Sequence, residues 1–158
     1  MLEFRYCKWL ARDVDVYAGE HRLARIDFRW MSLTAQFQCE GARYTCRCHG
    51  WRSQDSELLH DHRVIGRAWQ HGFLTQRFDI EFPSGDYELR VEGFTGRTMR
   101  LIAQHRNVGY LRLTGVLWTS ARLQAPAELS LPEQLFLYWL GACYWHRQSS
   151  NAAIVANL

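Results

Sequence analysis

The stretch SLPEQLFLYWLGACYW, residues 130–145, decides the fold. It opens with Ser130 and, three residues on, Glu133, the spacing at which a serine caps the third helical amide and the carboxylate reaches back to the serine amide. Pro132 falls in the first turn, where a missing amide proton is tolerated. From 135 to 145 the only polar features are the tips of tyrosine and tryptophan, and a helix that is apolar all round has to be enclosed on every side. The run is well short of the roughly 20 residues that cross a bilayer, so it reads as a core helix. His146 and Arg147 stand at the end that favours positive charge. The expectation is a buried helix over 130–147 and a loose tail over 148–158, whose residues 152–155 can dock on an edge strand.

An enclosed helix needs a shell, and the preceding sequence supplies strands. Ala24, Ile26, Phe28 and Trp30 alternate with Arg25, Asp27, Arg29 and Met31, the period of a strand with one buried face. Leu33, Ala35, Phe37 and Cys39 continue the pattern, Glu40-Gly41 makes a turn, and Ala42, Tyr44, Cys46 and Cys48 return as a hairpin. Leu74, Phe78, Ile80 and Phe82 form a second hairpin with Tyr87, Leu89 and Val91 across the turn Pro83-Ser84-Gly85-Asp86. Further strands are expected over 98–103, 108–113 and 116–123. No linker divides the 158 residues, so one domain is expected. About ten strands curled around the helix would enclose it, since eight-stranded barrels have room only for their own side chains.

A repeat runs through these hairpins. Leu58-Leu59-His60-Asp61-His62-Arg63-Val64-Ile65-Gly66 parallels Leu101-Ile102-Ala103-Gln104-His105-Arg106-Asn107-Val108-Gly109, and His21-Arg22-Leu23-Ala24-Arg25-Ile26 reads as a weaker copy with Arg25 in the glycine position. The period of about 40 residues also suits a propeller blade, but three copies followed by an apolar helix close no ordinary propeller.

Charge and cysteine usage narrow the function classes. A net charge of +3, with arginines spread along the chain, lacks the concentrated basic stripe of nucleic-acid binders; alternating with apolar residues, those arginines read as a solvated outer face. Five cysteines and an N-terminus without a secretory pattern lead to the expectation of a reducing, cytoplasmic setting, with peripheral attachment to a membrane as an option.

Taken together, the repeated His-Arg hairpins and Leu131-Pro132-Glu133 followed by the apolar run resemble the tubby C-terminal-like superfamily, which includes tubby domains, LURP-one-related proteins and phospholipid scramblases. The resemblance covers nearly the whole chain. It implies a closed antiparallel β-barrel around a central hydrophobic C-terminal helix, and a binding or adaptor role, often at membranes, without a shared enzymatic mechanism. Tubby domains bind phosphoinositides through basic surface residues; here Lys8 is the only lysine and no such lysine-arginine motif aligns.

Each candidate site has a plainer alternative. Cys46-x-Cys48-His49, with Cys39, His60 and His62 near, has zinc-type ligands, yet the x1 spacing is wrong and Cys46 and Cys48 share an apolar face, so no metal is expected. His21, His62 and His105 with Arg22, Arg63 and Arg106 would form an anion- or lipid-binding ring if their turns gathered at one barrel end; turn residues also recur for backbone reasons. Asp13/Asp15 and Asp79/Glu81 read as solvated ladder charges, and Gly93-Phe94-Thr95-Gly96-Arg97 as a hairpin turn without the Lys-Ser/Thr of a phosphate loop. Trp9, Trp51, Trp69 and Trp118, near turns or strand ends, either cap the core or enter an interface. No catalytic residue and no cofactor are expected. The leading expectation is a non-enzymatic adaptor for a protein partner or anionic lipid head groups. The alternatives are a small-ligand carrier or enzyme with a pocket at the barrel mouth lined by the His-Arg turns, and a structural subunit of a larger assembly.

Overall fold

The computed structural model describes residues 1–6, 12–49, 55–71, 76–115 and 120–156, with side chains of the helix described through Ser150. Twelve antiparallel strands precede one helix: β1 Leu2–Tyr6, β2 Asp13–Ala18, β3 His21–Arg29, β4 Thr34–Cys39, β5 Ala42–Cys48, β6 Asp55–His60, β7 Arg63–His71, β8 Arg77–Phe82, β9 Gly85–Glu92, β10 Thr98–Ala103, β11 Arg106–Thr114, β12 Ser120–Gln124 and α1 Leu131–Ala156. Each strand pairs with its sequence neighbours, and β1 pairs with β12 to close the barrel.

Closure around a helix explains the strand number. Twelve strands about 4.8 Å apart give a radius of roughly 9 Å, which a tilt of 35–45° widens to roughly 12 Å. A helix with its side chains has a radius of about 5–6 Å, leaving one layer of inward wall residues. Ten expected strands become twelve because β1 and β2, with Phe4, Val14 and Val16 fully buried, also belong to the wall. Of the expected strand 116–123, residues 116–119 lie outside the described residues; so does Leu74 of the second hairpin.

Every residue of α1 from 135 to 145 is buried. Phe4 stacks on Tyr138 at 3.8 Å, and Phe136 meets Phe82 edge-on at 5.8 Å. A side chain at Gly141 would collide with Leu111, so the glycine sets how closely helix and wall approach. The helix start differs from the expected box in one bond. Ser130 N–H donates to Glu133 Oε2 at 2.7 Å, but the Ser130 hydroxyl donates to that same oxygen at 2.8 Å. Glu133 is buried, and its other oxygen accepts from Ser84 Oγ at 3.0 Å, which ties α1 to the β8–β9 turn.

The helix does not end at Arg147 but runs to Ala156, so His146 and Arg147 are interior to it. Arg147 donates to Gln70 Oε1 at 3.1 Å and approaches Cys48 Sγ at 3.7 Å. The 152–155 segment continues the helix, and a closed barrel offers it no edge strand.

The repeat takes a definite form. In the hairpins β2–β3, β6–β7 and β10–β11 the register slips by one residue, beside Val16, Leu58 and Leu101, leaving Leu23, Ile65 and Val108 as the extra residues of three β-bulges. Opposite Val16, Leu58 and Leu101 stand Ala24, Gly66 and Gly109. The third copy is therefore one residue out of the sequence alignment: Ala24, and not Arg25, occupies the glycine position. These positions are small for steric reasons. A Cβ at Gly66 would meet the Phe82 ring at 2.9 Å, whereas one at Gly109 would strike the backbone carbonyl of Gln124. Gly109→Ala should therefore cost about 2–3 kcal/mol and Gly66→Ala about 1 kcal/mol, because a ring can turn and a paired strand cannot. Urea unfolding with an unchanged slope would report both.

Candidate functional site

The barrel wall is charge-compensated by its register. Asp15 stands opposite Arg25, which it holds at 2.8 Å, and Glu3 opposite Arg122 at 3.2 Å. Glu57 lies between Arg47 and Arg67 on its two neighbouring strands, with Arg47 at 2.8 Å, His49 at 2.8 Å and Arg67 at 4.0 Å. Arg77, Arg90 and Arg100 form one cross-strand row, and each has its own carboxylate, Asp79, Glu88 and Glu92. These are the solvated ladder charges that alternation implies, and exposed pairs of this kind contribute little individually.

Partial burial pushes the Glu57 carboxyl up, but hydrogen bonds from Arg47 and His49 together with their charge outweigh it and hold the carboxyl below the ordinary range. A depressed folded-state value contributes stability above the unfolded value and loses it as pH falls through the folded one. Glu57→Gln should thus be less stable than the parent near neutrality, and the two thermal midpoints should converge as pH drops below the ordinary carboxylate range.

The His-Arg turns do not form one site. All three hairpins close at the same end of the barrel, where α1 begins, but they are four strands apart, roughly 19 Å measured across the strands. His62 and His105 occupy left-handed turn positions, φ 72° and 62°, paired with Asp61 and Gln104 at φ 44° and 48°. Histidine is enriched at such φ values, and two consecutive left-handed residues make a type I′ hairpin turn. His21 instead pairs with Ala18 inside β3, one residue past the turn, and Arg22 leans toward Asp15 at 3.8 Å. Arg63 and Arg106 are the first residues of β7 and β11, both exposed. Arg63 borders an open depression of about 460 Å³ on the outer wall, shared with His60, Arg67 and Glu81, and His105 lines a second groove beside it.

Cysteine chemistry follows the strand faces. Cys39, Cys46, Cys48 and Cys143 are free thiols. Burial raises the Cys39 thiol to about 11 and the Cys143 thiol to about 12, and pushes Cys46 well above its usual value. His49 turns outward to Glu57, away from Cys46 and Cys48. Among the described residues no group of three His, Cys, Asp or Glu side chains is arranged to hold a metal.

Other hollows are present among the described residues. A groove of about 600 Å³ beside the 460 Å³ depression has Trp69, Tyr87 and Ile102 along it and Asp79, Glu81, Asp86 and Glu88 at its sides. A smaller pocket of about 160 Å³ sits at the barrel mouth where α1 emerges, between Tyr6, Trp30, Tyr138 and His146. That is the mouth opposite the His-Arg turns.

The feature that sequence reasoning missed is the polarity of the two barrel ends. At the end where α1 begins, the connections 19–20, 40–41, 61–62, 83–84, 104–105 and 125–130 contain Glu20, Glu40, Asp61 and Glu128 and no phenylalanine, tyrosine or tryptophan. At the end where α1 emerges, Met31 of the β3–β4 turn is 97% exposed and Phe94 of the β9–β10 turn 112%. Behind these tips the turns are anchored on the helix: Trp30 stacks on His146 at 4.6 Å, and Trp145 Nε1 donates to the Gly96 carbonyl at 2.7 Å. The expected hairpin at 93–97 is present, with φ 68° at Gly93 and 61° at Gly96. Trp69 lies in the acidic groove; Trp9, Trp51 and Trp118 lie outside the described residues. The signal for the missing feature was one apolar residue recurring at alternate turns, visible only once the strands had been counted.

Among the described residues no helix is long and apolar enough to cross a membrane. No protein-family model, no curated protein and no solved structure matches the chain.

Proposed function

We propose that the chain is a non-enzymatic binding domain, an adaptor that docks through the rim from which α1 emerges. One observation carries this: Met31 and Phe94 present their whole side chains to solvent on that rim, while much of the wall's charge is paired between its own side chains and the interior is filled by the helix. Fully exposed large apolar side chains at turn tips carry a hydration cost that a partner relieves. A relationship to the tubby-like superfamily belongs to the same proposal and is supported by the closed barrel around a C-terminal helix; Lys8 as the only lysine counts against an inherited phosphoinositide site. Free, buried thiols support a reducing, cytoplasmic location.

A second reading, a small-ligand carrier, is favoured by the 160 Å³ mouth pocket, whose lining has no charged residue among those described. That volume suits a fragment-sized group and falls below the roughly 300 Å³ at which ordinary ligand sites begin.

Site-specific photo-crosslinking in cells tests docking without knowledge of the partner. A photoreactive residue at position 31 or 94 should give abundant adducts, and one at position 40 or 61, on the opposite rim, few. Equal labelling at both ends, or labelling confined to 40 and 61, would remove the rim from the proposal.

A further inference from the structure

We infer that the apolar groove on the outer wall over β7 to β10 is a docking site for an extended, arginine-bearing segment of a partner protein. The groove lies on the wall and not on the rim, so this is a second surface, beyond the docking proposed above.

The groove begins as a break in the pattern of the outward face. Outward positions of these strands are mostly charged, yet Trp69 on β7 and Ile102 on β10 are outward and half-buried. Register sets Trp69 opposite Asp79, Asp79 opposite Glu88 and Glu88 opposite Ile102, so the four make one row across four strands. The next outward row, toward the end where α1 begins, sets Glu81 opposite Asp86. These residues bound the hollow of about 600 Å³, and Trp69, Tyr87, Ile102 and Ala103 supply its apolar lining.

Charge singles out the occupant. Like charges directly opposite each other in a sheet are unfavourable, and here two carboxylate pairs follow one another along β8 and β9. In the first pair the repulsion is relieved from within the chain. Asp79 has His71 at 3.1 Å and Arg77 at 3.6 Å, and Glu88 has Arg90 at 2.6 Å. In the second pair it is not: Glu81 and Asp86 are both exposed, and neither makes an ion pair among the described residues. Arg67 stands opposite Glu81 but has its Nε 4.0 Å from Glu57. A chain of net charge +3 thus carries a local excess of negative charge beside an apolar surface. A cationic head on an apolar stem complements both.

Arginine suits this arrangement better than lysine. Its planar fork donates to two carboxylates at once and stacks on an aromatic face, whereas an ammonium is a compact, strongly hydrated point charge. The dimensions suit a peptide. From β7 to β10 is three interstrand spacings, about 14 Å, which four extended residues at about 3.4 Å each cover. The closed barrel offers no strand edge, so the segment is held by its side chains and adds no strand.

The experiment is fluorescence anisotropy of a labelled peptide, Ala-Arg-Ala-Arg-Ala, titrated with the intact chain at low and high salt. The arginine peptide should bind and weaken with salt, its lysine counterpart should bind less tightly, and its glutamine counterpart should not bind. Glu81→Gln with Asp86→Asn should reduce affinity at least about tenfold, the scale of losing charge-assisted hydrogen bonds. Trp69→Leu should reduce it about two- to fivefold, the scale of an exposed cation–aromatic contact. Asp13→Asn with Asp27→Asn removes the same charge from another opposed carboxylate pair and should bind as the parent does. The Glu81 and Asp86 side chains are exposed and unpaired, so the thermal midpoint of their double variant should not fall. Absence of binding by the arginine peptide at low salt, full binding by the Glu81/Asp86 variant, or an equal loss in the Asp13/Asp27 variant overturns the inference. Equal affinity for the lysine peptide overturns the assignment of arginine. None of these outcomes bears on crosslinking at positions 31 and 94, which tests the rim separately.

Discussion

The structure depends on the burial of a helix that has no polar side. Residues 135–145 of α1 cannot lie on a sheet, because half of the helix surface would remain in water. The chain therefore spends twelve strands on one enclosure. The consequences follow from geometry: a meander closes with every even-to-odd turn at one end and every odd-to-even turn at the other, and the helix axis runs from the first end to the second. Glu133 fixes the start of that axis, with Ser130 on one side and Ser84 on the other, and Trp145 with Gly96 fixes where it leaves.

A cylinder so filled leaves little interior for chemistry, so function moves to the surfaces. The wall is nearly self-compensating because cross-strand register sets Asp15, Glu3 and Glu57 against arginines. The three bulged hairpins, four strands apart, give the barrel an approximate threefold character: β3, β7 and β11 are each 9 residues long and β2, β6 and β10 each 6. A bulge strengthens local twist, and three of them spaced evenly help to coil the sheet toward closure. That is a structural reason for the repeat, and it accounts for Gly66 and Gly109 as well as for His62 and His105. The rims share neither this symmetry nor each other's composition. One is polar and acidic; the other exposes Met31 and Phe94 and has no acid in its described connections, so the molecule has a direction.

Much of this was legible in the sequence, and the reasons are local. Alternation in 24–30 and 33–39 is a property of neighbouring residues, and so is the all-round apolarity of 135–145. Strand faces follow from the same period, which sets Cys46 inward and His49 outward toward Glu57. Errors came where local signals were weak. β1 and β2 have only two alternating buried residues each, Leu2 and Phe4, and Val14 and Val16, and the His21-Arg22 pair mimics the turn motif one residue out of place. Arg147 resembles a C-terminal helix signal in the sequence, whereas in the structure it is held by Gln70 and Cys48 from the wall.

That an apolar helix is wrapped by antiparallel strands is readable from neighbouring residues, since side-chain period and hydrophobicity are written residue by residue. The strand number, the register that pairs the arginines, the separation of the His-Arg turns and the placing of Met31 and Phe94 at one mouth emerge only when the chain folds. Each of these depends on which residues, distant along the chain, are carried to the same place by closure of the barrel, and closure is set by the size of the helix it must surround.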